Sequence, residues 1–144
     1  MYDGKEKNKF SFKCQILNYP PLDLATSPTE KFYIEGAIPP EIAAMFDKCY
    51  RDEEYAKNPY CSPIFATNEE LKNLPPAIVI ICEIDSLRDE AEDYVQKLVK
   101  AGVETTAKRF YGVRHGFTIT DYELPESKKA HKMMIDGLKK YLLK

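Results

Sequence analysis

The chain has no tryptophan, two histidines and six glycines, and its 21 basic side chains are offset by 23 acidic ones for a formal charge of −2. Each shortage narrows the field. Nucleic acid is not an expected partner, because that ligand calls for a basic excess. The longest unbroken apolar run, Ala77 to Cys82, is far shorter than the roughly 18 residues of a membrane helix. Met1 to Lys7 has no apolar signal core, so no membrane span is expected and the expected location is cytoplasmic. Two distant histidines without H-x-x-x-H spacing make a poor metal site. Cys14, Cys49, Cys61 and Cys82 form no C-x-x-C pair, and a chain of this size needs no disulfide staple. They are expected to be reduced core thiols.

What is present reads as a single domain over residues 1–144, with 44% hydrophobic residues, ordinary for a chain that buries a core. The first eleven residues are polar and aperiodic, a loop or a frayed helix end. A short strand is expected from Phe12 to Leu17, stopped by Tyr19-Pro20-Pro21 because proline cannot donate to a ladder. Pro39-Pro40 suits a helix start, and Ile42, Met45, Phe46, Cys49 and Tyr50 fall on one helical face. Ala77 to Cys82 has the unbroken apolar character of a strand buried on both sides of a parallel sheet. Leu87, Ala91, Tyr94, Val95, Leu98 and Ala101 then form a helical stripe closed by Gly102. Val103 to Phe110 reads as a further strand. Ala130, Met133, Met134, Gly137, Leu138, Tyr141 and Leu142 mark an amphipathic helix after Pro125. Alternating strands and helices predict an α/β fold of about three parallel strands flanked by helices.

In such sheets ligands gather beyond the carboxyl ends of the strands. Two segments leave strands there, Cys82-Glu83-Ile84-Asp85-Ser86-Leu87-Arg88-Asp89-Glu90 and Phe110-Tyr111-Gly112-Val113-Arg114-His115-Gly116-Phe117. They are expected to bring Asp85 and His115 to one edge of the sheet from positions 30 residues apart. A carboxylate that accepts from a histidine N–H fixes its tautomer and stabilises the imidazolium formed in acyl transfer, which is the acid and base half of a catalytic triad. The competing reading of Asp85 is structural, since acidic residues collect at helix starts and Ser86 with Asp89 resembles a capping box. His131 falls on the polar face of the last helix. Arg88 and Asp89 read as an ion pair around the helix start. Cys82, three residues before Asp85, lacks a glycine-flanked elbow and reads as an inert thiol rather than a nucleophile.

Several blocks in order carry a resemblance: Asn18-Tyr19-Pro20-Pro21-Leu22-Asp23, Leu74-Pro75-Pro76-Ala77, Glu83 to Ala91, Ala101-Gly102-Val103 and His115-Gly116-Phe117. From about Phe12 to its end the chain resembles the C-terminal part of the hormone-sensitive-lipase-like esterases of the α/β-hydrolase superfamily. The resemblance implies that Asp85 is the triad acid and His115 the triad base. The implied chemistry is hydrolysis of a small-molecule carboxylic ester through an acyl-enzyme, with no cofactor. It also implies that Pro28 to Pro63 is a cap-like excursion between strands. Phe32, Tyr33, Ile34, Met45, Phe46, Tyr50 and Tyr60 there either line an acyl cavity or pack as core. Phe117, beside His115, either shapes the site or packs as an ordinary aromatic.

The superfamily places a G-x-S-x-G elbow and an oxyanion loop before the acid and the base. None of Ser11, Ser27, Ser62, Ser86 and Ser127 has glycine on both flanks two positions away. The chain is therefore expected to be a C-terminal portion that lacks its nucleophile and is inactive alone. The strand near Phe12–Leu17 is expected to expose an edge that pairs with a second copy. The alternative function is a non-catalytic module that oligomerises or binds a partner.

Overall fold

The computed structural model describes residues 11–143, so the expectation for residues 1–10 lies outside the described residues. Three parallel strands form one sheet in the order β1-β2-β3: β1 (Gln15–Asn18), β2 (Ala77–Ile84) and β3 (Thr105–Arg114). Helix α1 (Pro40–Tyr50) and the four-residue α2 (Asn68–Leu71) lie between β1 and β2. Helix α3 (Arg88–Lys100) joins β2 to β3, and α4 (Phe117–Thr120) and α5 (Pro125–Leu142) follow.

β2 is central and buried on both faces, as its apolar run requires. Ala77, Val79 and Ile81 pack with Ala91, Tyr94 and Leu98 of α3 and with Leu22 and Leu71. Ile80 and Cys82 face the other way, into Phe110, Val113, Phe117 and Ala130. The alternation of side chains along a strand divides one sequence run between two helical layers. α5 supplies Ala130 on that second side, and Gly137 lets it approach Ile78 closely.

Several sequence expectations shift in detail. β1 starts at Gln15, opposite Ala77 where its partner strand begins, and Phe12 is exposed. β3 runs on to Arg114. The capping box at Ser86 and Asp89 does not form: α3 has Leu87 at its cap without a side-chain hydrogen bond. A capping box appears instead at Thr67 and Glu70, around the start of α2. The apolar stripe of α1 is not core, since no residue of that helix is buried. The four cysteines are free, but only Cys82 is buried; Cys49 is exposed and Cys14 and Cys61 are half-buried. No helix among the described residues is long and apolar enough to cross a membrane.

Candidate active site

Register decides where Asp85 and His115 sit. Cys82 pairs with Phe110, yet Ile84 pairs with Arg114, so β3 takes two extra residues across this interval. Gly112 absorbs the bulge with φ +69°, and its N–H donates to Glu83 Oε2 at 2.8 Å. The residues directly after the Ile84–Arg114 pair are Asp85 and His115. An unbulged ladder would carry His115 two residues too far, a displacement of about 6–7 Å along the strand.

The imidazole Nδ1 lies 2.8 Å from Asp85 Oδ2. Asp85 is buried, and its second oxygen accepts from the Leu87 N–H at 3.1 Å. Both carboxylate oxygens are thus engaged, and the structural role at the helix start coexists with the histidine contact rather than replacing it. His115 keeps 30% of its side-chain surface exposed. With Nδ1 directed at the carboxylate, Nε2 is the nitrogen left to exchange a proton with a bound reactant. No serine hydroxyl among the described residues hydrogen-bonds this imidazole; Ser62 instead accepts from the Leu24 N–H at 2.8 Å and is buried.

His115 opens on a groove of about 520 Å³ walled by Leu24, Ala43, Phe46, Tyr50 and Leu87. Of the aromatics that the sequence offers for a cavity, Phe46 and Tyr50 line it. Phe32 lies under the Arg88 guanidinium, 3.7 Å from its ring centroid. Arg88 also pairs with Asp89 at 2.7 Å, as expected. Asp47 lies in the same groove wall, and burial raises its carboxyl above the usual value despite Lys31 and Arg51 nearby.

The segment after β1 is held by a buried carboxylate. Glu90 Oε1 accepts from the backbone N–H groups of Leu22 at 2.6 Å and Asp23 at 3.1 Å, and Oε2 pairs with Lys31 at 2.6 Å. The groove wall at Leu24 is therefore fixed to the start of α3, beside Asp85. Cys82 is fully buried, and burial followed by the Asp85 charge pushes its thiol far up. His131 sits exposed on α5, with its Nδ1 on the Ser127 carbonyl at 2.9 Å. No three His, Cys, Asp or Glu side chains among the described residues converge as a metal site.

The sequence alone missed Tyr19 as part of this site. It marks the end of β1, but its ring lies 4.6 Å from the His115 ring, centroid to centroid. Only an aromatic just before Pro20-Pro21 pointed to it, which carries no register information.

A parallel sheet between helices, with a carboxylate and an imidazole meeting beyond its strand ends, is the architecture of an α/β hydrolase. The chain belongs to that family: residues 2–119 match the α/β-hydrolase fold. Its relatives place it in the hormone-sensitive-lipase-like esterase branch. It is 32% identical over 143 residues to an arylesterase of Saccharolobus solfataricus, an alignment covering 96% of this chain and 44% of that protein. It is 27% identical to human hormone-sensitive lipase over 83 residues, 58% of this chain and 8% of that protein. Among solved structures it superposes on carboxyl esterase 2 of Tuber melanosporum with a TM-score of 0.81 at 29% identity, over 94% of this chain and 47% of that one. An esterase of Pyrobaculum calidifontis gives 0.75 at 36% identity, over 89% and 43%. The chain spans less than half the length of these esterases.

Proposed function

We propose that this chain supplies the acid and base of a serine carboxylic ester hydrolase, with Asp85 orienting His115. The observation that carries the reading is the 2.8 Å contact between a buried carboxylate and a part-exposed imidazole at the mouth of an apolar groove. In this scheme His115 Nε2 takes the proton of a serine hydroxyl as it attacks the ester carbonyl, and returns it to the leaving alcohol. Asp85 holds the productive tautomer and offsets the imidazolium charge. The cap-like excursion of residues 28–63 contributes Phe46 and Tyr50 to the wall that receives an acyl or alcohol group.

The serine and the oxyanion donors come from sequence outside these 144 residues. Without them the chain alone retains little activity, because those donors supply a large part of the rate enhancement. In the protein that joins this segment to a G-x-S-x-G segment, His115→Ala and Asp85→Asn should each lower turnover of a p-nitrophenyl acyl ester by about 10³–10⁴-fold with the fold intact. Full activity in both variants would sink the assignment. For the isolated chain we expect background turnover and no fluorophosphonate adduct on its five serines; an adduct would place the nucleophile within it.

A second reading, a module that pairs with another chain, draws on β1. Among the described residues this strand bonds to β2 on one side only. Sedimentation that finds only monomer at micromolar concentration would remove it.

A further inference from the structure

We propose that Tyr19 is a positioning residue for His115, clamping the imidazole from the end of β1 while Asp85 holds it from the end of β2. The inference rests on the reading of His115 as the base. Among the described residues Tyr19 is the one non-glycine with positive φ, +41°. An aromatic side chain avoids that region, and the following Pro20 narrows its torsions further. A conformation of this kind persists only where its surroundings over-determine it.

Those surroundings are specific. The Tyr19 N–H donates to the Ile80 carbonyl at 2.8 Å, continuing the ladder one residue past β1. The phenol oxygen lies 2.8 Å from Thr118 Oγ1, and the Asn18 side-chain amide donates to the same oxygen at 3.0 Å. Thr118 is buried and stands three residues after His115, beyond Gly116. The phenol is thereby tied to the segment that carries the histidine. Its ring meets the imidazole with their planes at 60°.

The imidazole is tethered at Cβ and bonded to Asp85 at Nδ1, so small coupled changes of χ1 and χ2 remain, which tilt the ring and re-aim Nε2. The Tyr19 ring packs against the imidazole and limits that tilt, and the Thr118 bond keeps the Tyr19 ring in place. Two strands and the segment after a third thus fix one side chain, which is how a catalytic base keeps its second nitrogen aimed.

The test uses the 144-residue chain with ¹⁵N-labelled histidine, following the downfield Nδ1 proton of His115 and its exchange with water. Tyr19→Leu, which removes the ring, should speed exchange roughly threefold to tenfold, in proportion to a lost aromatic pair. Tyr19→Phe keeps the ring and frees it from Thr118, and should speed exchange about twofold or more. Asp85→Asn should abolish the downfield position. Wild-type exchange in folded Tyr19→Leu and Tyr19→Phe, with the signal lost in Asp85→Asn, overturns the role of Tyr19 alone. If Tyr19→Leu does not fold, Tyr19→Phe decides. A signal that survives Asp85→Asn unchanged overturns the underlying reading of the pair.

Discussion

Gly137→Ala tests how closely α5 must approach the sheet. By helix propensity alone the change should stabilise, since alanine is favoured over glycine in a helix interior by about 1 kcal/mol. The structure reverses the sign. A Cβ at position 137 would lie 1.9 Å from Ile78 Cδ1 and 2.9 Å from its Cγ1. Ile78 is 1% exposed on the central strand, so its side chain has little room to give way. Either it leaves its rotamer or α5 lifts from the sheet, and overpacking of this kind costs about 1–3 kcal/mol. Set against the propensity gain, the net loss is roughly 1 kcal/mol, or about 3–5 °C in Tm for a chain of this length. Urea unfolding of Gly137→Ala should show a lower midpoint with the same slope. In an Ile78→Val background, which removes Cδ1 but keeps a γ carbon 2.9 Å from the new Cβ, the same alanine should cost less than it does in the wild type. A Gly137→Ala protein about 1 kcal/mol more stable than wild type would refute the reasoning, because propensity would then be the only force acting.

Glu90 should make stability fall as pH rises. Burial outweighs Lys31 and two backbone N–H donors and holds its carboxyl above the usual value. The group therefore binds its proton more tightly in the folded state, favours folding in acid, and loses that contribution as pH climbs through the raised value. Between about pH 4 and pH 7, the Tm of the wild type should drop relative to Glu90→Gln; the opposite slope would show Glu90 to be a net stabilising anion. Cys82 should resist a disulfide reagent such as DTNB in the native protein while exposed Cys49 reacts. Peptide mapping that finds Cys82 labelled at the rate of Cys49 would contradict its burial. These stand beside the outcomes expected for His115→Ala, Asp85→Asn and the Tyr19 series.

Where side-chain chemistry and local periodicity act alone, the sequence was enough. Ala77 to Cys82, entered through Leu74-Pro75-Pro76, reads as a strand covered on both faces, because six consecutive apolar residues have no side to show to water, and all six are buried. The stripe of α3 sets its buried side in Ala91, Tyr94 and Leu98, that of α5 turns Ala130 inward with Met133 and Met134 packed beside it while Leu142 stays exposed, and the composition of the two strand-end segments nominated Asp85 and His115. Periodicity failed at α1, whose stripe is as regular but stays exposed. A stripe states that a face is apolar, not that another element arrives to cover it.

Tertiary structure decided the distances. Nothing local to Gly112 tells that β3 gains two residues there, since a bulge exists only relative to the partner strand, and without it the carboxylate and imidazole would miss each other. The placement of Tyr19 against His115 depends likewise on a torsion held by Ile80 and Thr118, residues far away in the chain. Sequence by itself determined which groups this protein offers at its candidate site, because residue type sets what each can donate, accept or bury. Only the pairing of strands determined that they meet at bonding distance, because register is a property of two segments at once.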